Sequence, residues 1–309
     1  MLFMRLKDPF GRPVNSLRIS VTQRCNFQCF FCHQEGESGS GMEMTPKEIG
    51  KIVEVASELG IRKIKVTGGE PLIRDDIAEI IQQISPYVDE VSMTTNGSML
   101  SQLAGSLKMA GLTRVNVSYH SMRRDVFQFI TYTDMLPRVE EGIMVAIEHG
   151  LTPVKLNVVV LKGVNDNEIP EMLRFSSETG TMLQLIEYQA LEKGVGDWEK
   201  YYYDLTPLED SLGRQATKIV EREMQHRRQY TLPDGAVVEV VRPMHNTVFC
   251  ANCNRLRLTS DGKLKPCLMR DDNLVPLVEL IRENVSKERL IEIFLEATYN
   301  REPFWRENI

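Results

Sequence analysis

Three cysteines near one end of the chain, Cys25, Cys29 and Cys32, stand in the run SVTQRCNFQCFFCHQEGE at the spacing C-x3-C-x2-C. Three more, Cys250, Cys253 and Cys267, occupy FCANCNRLRLTSDGKLKPCL at the spacing C-x2-C-x13-C. No cysteine lies between the two groups. A disulfide consumes two thiols and a closed zinc site takes four ligands, so three thiols fit neither. Three thiolates do suit three irons of a [4Fe–4S] cube, whose fourth iron then stays open to an external ligand. Zinc remains an alternative for both groups, with His245 as the nearby fourth ligand of the second. Unligated core thiols remain one for the first.

Such ligands need a frame. Short apolar runs recur along the chain: LRISV (17–21), IKVTGGEP (64–71), EVSMTTNG (90–97), VNVSY (115–119), VKLNVVV (154–160) and LQLIEY (183–188). Helical stretches separate them, which is a βα rhythm. The segment TPKEIGKIVEVASELG (45–60) offers Thr45 as N-cap, Pro46 in the first turn and Glu48 as its capping-box partner, and stops at Gly60. The stretches 101–111 and 135–150 also end at glycine. This order predicts an α/β fold, an incomplete parallel (βα)6-type TIM barrel with a C-terminal auxiliary-cluster region. A doubly wound open sheet competes with it, but the glycine-rich dinucleotide fingerprint is missing after the first strand. In a βα barrel, reactive groups gather at the C-terminal ends of the strands, where the first triad falls.

After about residue 195 the texture changes. LEDSLGRQATKIVEREMQ (208–225) reads as one helix, RRQYTLPDGAVVEVVRP (227–243) as a hairpin turning at PDG, and 286–300 as a last helix. Two domains are expected, 1–195 and 196–309, the second packed on the barrel. Arg255 and Arg257, two apart beside Cys253, share one face of a strand and suit a phosphate clamp. The net charge of −6 gives no bulk attraction to nucleic acid or anionic membrane. With no leader-like segment and no apolar run near twenty residues, a soluble cytoplasmic protein is expected.

The first triad, with aromatic Phe31 before its last cysteine, is followed by GGEP at Gly68–Pro71. Together these resemble the signature of the radical S-adenosylmethionine (radical SAM) enzymes. The resemblance implies a [4Fe–4S] cluster on Cys25, Cys29 and Cys32 whose open iron binds S-adenosylmethionine. Phe31, Gly69, Ser118 and Gln189 stand at its cofactor-contacting positions. The second triad resembles that of one branch, which opens molybdenum cofactor biosynthesis by cyclising GTP. The stretches 11–25, 66–76, 92–97, 111–118 and 154–166 carry the same likeness, so it covers most of the chain.

That branch implies a second [4Fe–4S] cluster on Cys250, Cys253 and Cys267, its open iron binding the guanine ring. It places Arg18, Lys65, Thr94 and Lys155 at GTP-binding positions, and has Arg255 and Arg257 reach the substrate and assist cyclisation. It implies an electron donor, and a cyclic pyranopterin monophosphate synthase that takes the product. A second copy of the chain is kept open as a partner. The sequence departs from the branch in four places: Lys65 and Gln184 stand where arginine is frequent, Gln189 where methionine is, and REPFWRENI replaces a Gly-Gly tail. Two competing readings are a radical SAM enzyme acting on a peptide or another small molecule, and a zinc or nucleic-acid-binding protein.

Overall fold

The computed structural model describes residues 5–37, 41–189 and 198–306. The expected domain boundary between 195 and 196 lies outside them. Six parallel strands follow one another around a partial barrel, in the order β1 (Ser16–Ser20), β2 (Lys63–Thr67), β3 (Glu90–Thr95), β4 (Arg114–Ser118), β5 (Lys155–Val160) and β6 (Met182–Glu187). The helices between them are α1 (Pro46–Glu58), α2 (Ile77–Ile84), α3 (Leu100–Met109), α4 (Arg124–Thr131), α5 (Leu136–Glu148) and α6 (Ile169–Thr179). The capping box forms as the sequence predicts: Glu48 N–H donates to Thr45 Oγ1 at 3.3 Å and Thr45 N–H to Glu48 Oε2 at 2.7 Å.

Later residues extend the same sheet at both edges. A hairpin of β7 (Lys218–Glu221), β8 (Arg228–Thr231) and β9 (Val237–Val241) joins β6, with β9 parallel to it. β10 (Arg255–Leu258) pairs in parallel with the far side of β1, and β11 (Lys263–Lys265) and β12 (Val275–Pro276) complete that edge. One departure concerns 208–225. The helix covers only Thr206–Gln215, and the remainder turns into β7, which pairs with β8 from Lys218↔Thr231 to Glu221↔Arg228. Leu212 alone of that helix is buried, so little holds a longer helix together against this pairing.

Strand alternation sorts the side chains into two layers. Leu17, Ile19, Ile64, Val66, Val115, Val117, Leu156, Val158, Leu183 and Leu185 are buried in the main hydrophobic core. The residues between them line a cavity inside the barrel, among them Arg18, Lys65, Ser92, Thr94, Asn116, Lys155, Asn157 and Gln184. They lie side by side across the sheet: Arg18↔Lys65↔Ser92, then Thr94↔Asn116↔Lys155, then Asn157↔Gln184↔Glu239. A closed eight-stranded barrel fills its interior with branched apolar side chains. Here the interior is polar and encloses about 530 Å³.

Candidate active site

The first triad sits in the loop after β1, at the C-terminal ends of the strands. Backbone contacts hold this loop on two sides. Gln28 and Phe30 N–H groups donate to the carbonyls of Thr131 and Ile130 at the end of α4, each at 3.2 Å. On the other side Gly69 N–H donates to Thr22 O at 2.7 Å and Glu70 N–H to Arg24 O at 2.8 Å. A Cβ on Gly69 would stand 2.1 Å from Arg24 O, and one on Gly68 2.5 Å from Thr22 O. Glycine is therefore required here by the loop bearing Cys25, a reason distinct from close approach to a ligand.

Glu70 ties β2 to β3 by accepting from Thr95 Oγ1 and Asn96 N–H, both at 2.6 Å. Its burial pushes the carboxyl up to about 7. Asn96 donates in turn to Asn26 Oδ1 at 2.8 Å, inside the cysteine loop. Phe31 turns its ring edge-on to His120, with centroids 4.8 Å apart. Burial takes His120 down to about 4, so it is neutral near pH 7.

The second triad lies at the opposite end. Cys250 and Cys253 precede β10 and Cys267 follows the antiparallel β11. All three thus flank the N-terminal ends of the barrel strands. Arg301 Nη2 donates to Cys253 O at 2.6 Å and Arg12 Nη1 to Cys250 O at 2.9 Å. Buried Asp8 joins the two arginines, at 3.2 Å and 2.7 Å. His245, the one imidazole considered for this site, packs against Trp305 with ring centroids 4.1 Å apart and planes tilted by 40°.

Both triads line the one cavity, as do Phe31, Gly69, Ser118, Gln189, Arg18, Lys65, Thr94, Lys155, Arg255 and Arg257. The two triads and the expected cofactor- and substrate-contacting residues are thus brought to the same space, whereas His245 is not part of its lining. The donor set fits iron–sulfur ligation: soft thiols, three on each face. Burial pushes the thiols of Cys25, Cys29, Cys32 and Cys250 up, so metal coordination is what would make them thiolates. Among the described residues, no three His, Cys, Asp or Glu side chains converge on a single metal ion. Gln189 Oε1 is buried at the cavity wall without a hydrogen-bond partner among the described residues, as a polar ligand there requires.

Sequence reasoning missed the anions beneath the cations. Glu35 accepts from Arg18, from Arg257 Nη1 at 2.6 Å and from Thr67 Oγ1 at 3.1 Å. Burial alone would push its carboxyl up, but the two guanidiniums outweigh this and hold it at about 2. Glu239, fully buried on β9 beside β6, meets Lys155 Nζ at 2.9 Å, Arg222 Nη1 at 3.0 Å and Arg227 Nη1 at 2.9 Å. Burial lowers Lys155 to about 8 despite Glu239. Lys65, which donates to Asn116 Oδ1 at 3.0 Å, is lowered well below its ordinary range by burial and by Arg114, Arg18 and Arg255. The only sequence signal for these acids was their polarity inside strand-like or post-cysteine segments.

A partial parallel barrel with three cysteines in its first βα loop defines a class, and the chain belongs to it. The family model described as "Radical SAM superfamily" matches residues 19–176, and "Molybdenum Cofactor Synthesis C" matches 181–306. The fold is similar to that of Streptococcus suis SuiB, with a TM-score of 0.63 and 16% identity over 94% of this chain and 67% of that one. It is also similar to AdoMet-bound anSMEcpe, with a TM-score of 0.63 and 15% identity over 91% and 80%.

Within that superfamily the chain is a member of the GTP 3′,8-cyclase family. It is 52% identical to the probable GTP 3′,8-cyclase of Thermococcus kodakarensis over 97% of this chain and 100% of that one. The probable cyclases of Pyrococcus horikoshii and Methanothermobacter thermautotrophicus are 50% and 48% identical, each over 98% of this chain and 99% of their own. Among the described residues, no helix is long and apolar enough to cross a membrane.

Proposed function

We propose that the chain converts GTP to (8S)-3′,8-cyclo-7,8-dihydroguanosine 5′-triphosphate, the first step of molybdenum cofactor biosynthesis. One observation carries the reading in detail: a single polar cavity with a thiol triad at each end and cations between them. Cys25, Cys29 and Cys32 would hold one [4Fe–4S] cluster, with Phe31, Gly69, Ser118 and Gln189 positioned to contact S-adenosylmethionine. When bound, the pair would supply one-electron chemistry able to take hydrogen from an unactivated C–H bond. Cys250, Cys253 and Cys267 would hold a second [4Fe–4S] cluster at the other end of the cavity.

The protein's own work is positioning. Lys65, Thr94 and Lys155 line the cavity that receives the nucleotide, and Arg18, Arg255 and Arg257 add guanidiniums to the same lining. Glu35 fixes Arg18 and Arg257 in one orientation, so the substrate meets a preorganised fork. In the net conversion C3′ loses a hydrogen and bonds to C8, and the imidazole ring gains an electron and a proton. Arg255 and Arg257 stand where the charge on that ring changes. An electron donor serves the clusters, and a cyclic pyranopterin monophosphate synthase receives the product. The same reading has the reaction run in the cytoplasm, with a second copy of the chain as the remaining candidate partner.

The test is an anaerobic incubation of reconstituted protein with reductant, S-adenosylmethionine and GTP. The expected result is 5′-deoxyadenosine formed in proportion to GTP consumed, with the cyclised nucleotide, an isomer of GTP, resolved from it by chromatography and identified by its fragment ions. Recovery of unchanged GTP alongside undiminished 5′-deoxyadenosine would sink the assignment.

A further inference from the structure

At the tip of the β7–β8 hairpin, Arg222 and Arg227 face the barrel interior together with Lys155 and Gln184. The strand-like run containing Gln184 supplies no cation to this wall: its inward side carries Gln184 and Ile186. Gln184 instead lies in register with Glu239 on β9, and Glu239 draws the two arginines in from the hairpin. The cationic groups of this corner therefore come from a neighbouring element.

Their number exceeds what a structural role needs. One carboxylate, Glu239, faces three cations, Lys155, Arg222 and Arg227, and also accepts from Gln229 Nε2 at 2.7 Å. Neutralising a buried glutamate takes one partner. A second positive charge buried there is costly unless an anion joins it, and the 30%-exposed Arg222 adds a third at the rim. Arg227 is the sharper case. Its side chain is only 9% exposed, and its Nε finds no hydrogen-bond partner among the described residues. A guanidinium offers five donors in a fixed fork, which matches phosphate oxygens.

The tip is also anchored for the purpose. Arg222 N–H donates to Arg227 O at 2.9 Å, closing the loop, and Gln225 N–H donates to Asn252 O at 2.8 Å in the second cysteine segment. The arginines are thus held between the sheet and the element bearing Cys250 and Cys253.

We propose that Arg222 and Arg227 form a phosphate subsite that, with Lys155, binds the triphosphate of the nucleotide. This rests on the reading of the substrate as GTP. Glu239 is the positioning residue that keeps both guanidiniums aimed at the cavity, and the incoming phosphates supply the missing negative charge.

Calorimetric binding to the anaerobically reconstituted protein tests this with three probes: GTP, guanosine and inorganic tripolyphosphate. Arg227→Ala and Arg222→Ala are each expected to weaken GTP and tripolyphosphate by about tenfold or more, with guanosine unchanged. Arg227→Lys is expected to recover part of the loss. Should Arg227→Ala not fold, Arg222→Ala, whose side chain is 30% exposed, and Arg227→Lys carry the test. Variants that bind GTP like the wild type overturn the proposal, as do variants that lose GTP and guanosine by the same factor. A wild type that binds tripolyphosphate through these arginines but does not bind GTP overturns the substrate reading alone.

Discussion

Glu35 combines a left-handed backbone, with φ of 54°, and a buried carboxylate, and its neighbours account for both. The turn lets a residue only three positions past Cys32 fold back between Arg18 on β1 and Arg257 on β10. The carboxyl is held at about 2 in the folded chain against an ordinary 4.5. A lowered acid contributes stability above its unfolded value and loses it as the pH falls through the folded one. Chemical denaturation should therefore find Glu35→Gln less stable than the wild type above pH 4.5, with the gap closing as the pH drops toward 2. A gap that ignores pH would mean that ionisation of Glu35 does not support the arginines. The cysteines and arginines were legible because their spacing is unusual. Glu35 was not, because its role depends on two residues that are distant in sequence.

Among the elements, the β2 turn shows a reason for a motif that its sequence does not reveal. Gly68 and Gly69 follow the end of β2, where another segment comes close. What approaches is the backbone of Thr22 to Arg24. Gly69→Ala must therefore push away the loop carrying Cys25, at about 1–3 kcal/mol by analogy with overpacked sites. The expected outcome is reduced iron per chain after reconstitution together with a lowered melting temperature. Gly213 is the control: a Cβ there stands 3.7 Å from the Tyr230 ring, within ordinary contact, and helical alanine is favourable. Gly213→Ala should retain iron and melt no lower than the wild type. The six barrel strands were visible in the sequence because each alternates a core face with a cavity face. β7 was hidden because all four of its residues are exposed, which leaves no alternation to detect.

For the whole molecule, the consequence is that the two triads occupy opposite ends of one space. The strands between them, such as the five residues of β1, span about 15 Å. A substrate lying along them can face both ends. Anaerobic reconstitution should yield iron and sulfide for two four-iron clusters per chain. Replacing Cys250, Cys253 and Cys267 together by serine should halve that content and leave cofactor cleavage at the first site measurable. Zinc in the second site with iron in the first would defeat the two-cluster arrangement. The sequence announced both cysteine triads but not their opposition. That relation exists only because β10 crosses to lie beside β1, a pairing that no local pattern encodes.

The same crossing sets the order in which the molecule can be finished. Ser16 pairs with Arg255, and Met182 with Val237, so the open edges of β1 and β6 wait for strands made much later. Until then two rows of unpaired backbone groups stand beside apolar side chains, the situation in which nascent sheets associate wrongly. Closure by such distant partners is entropically late. A ribosome-bound chain truncated before β10 is left with an exposed sheet edge, so the last third of the sequence protects the first as well as completing the cavity.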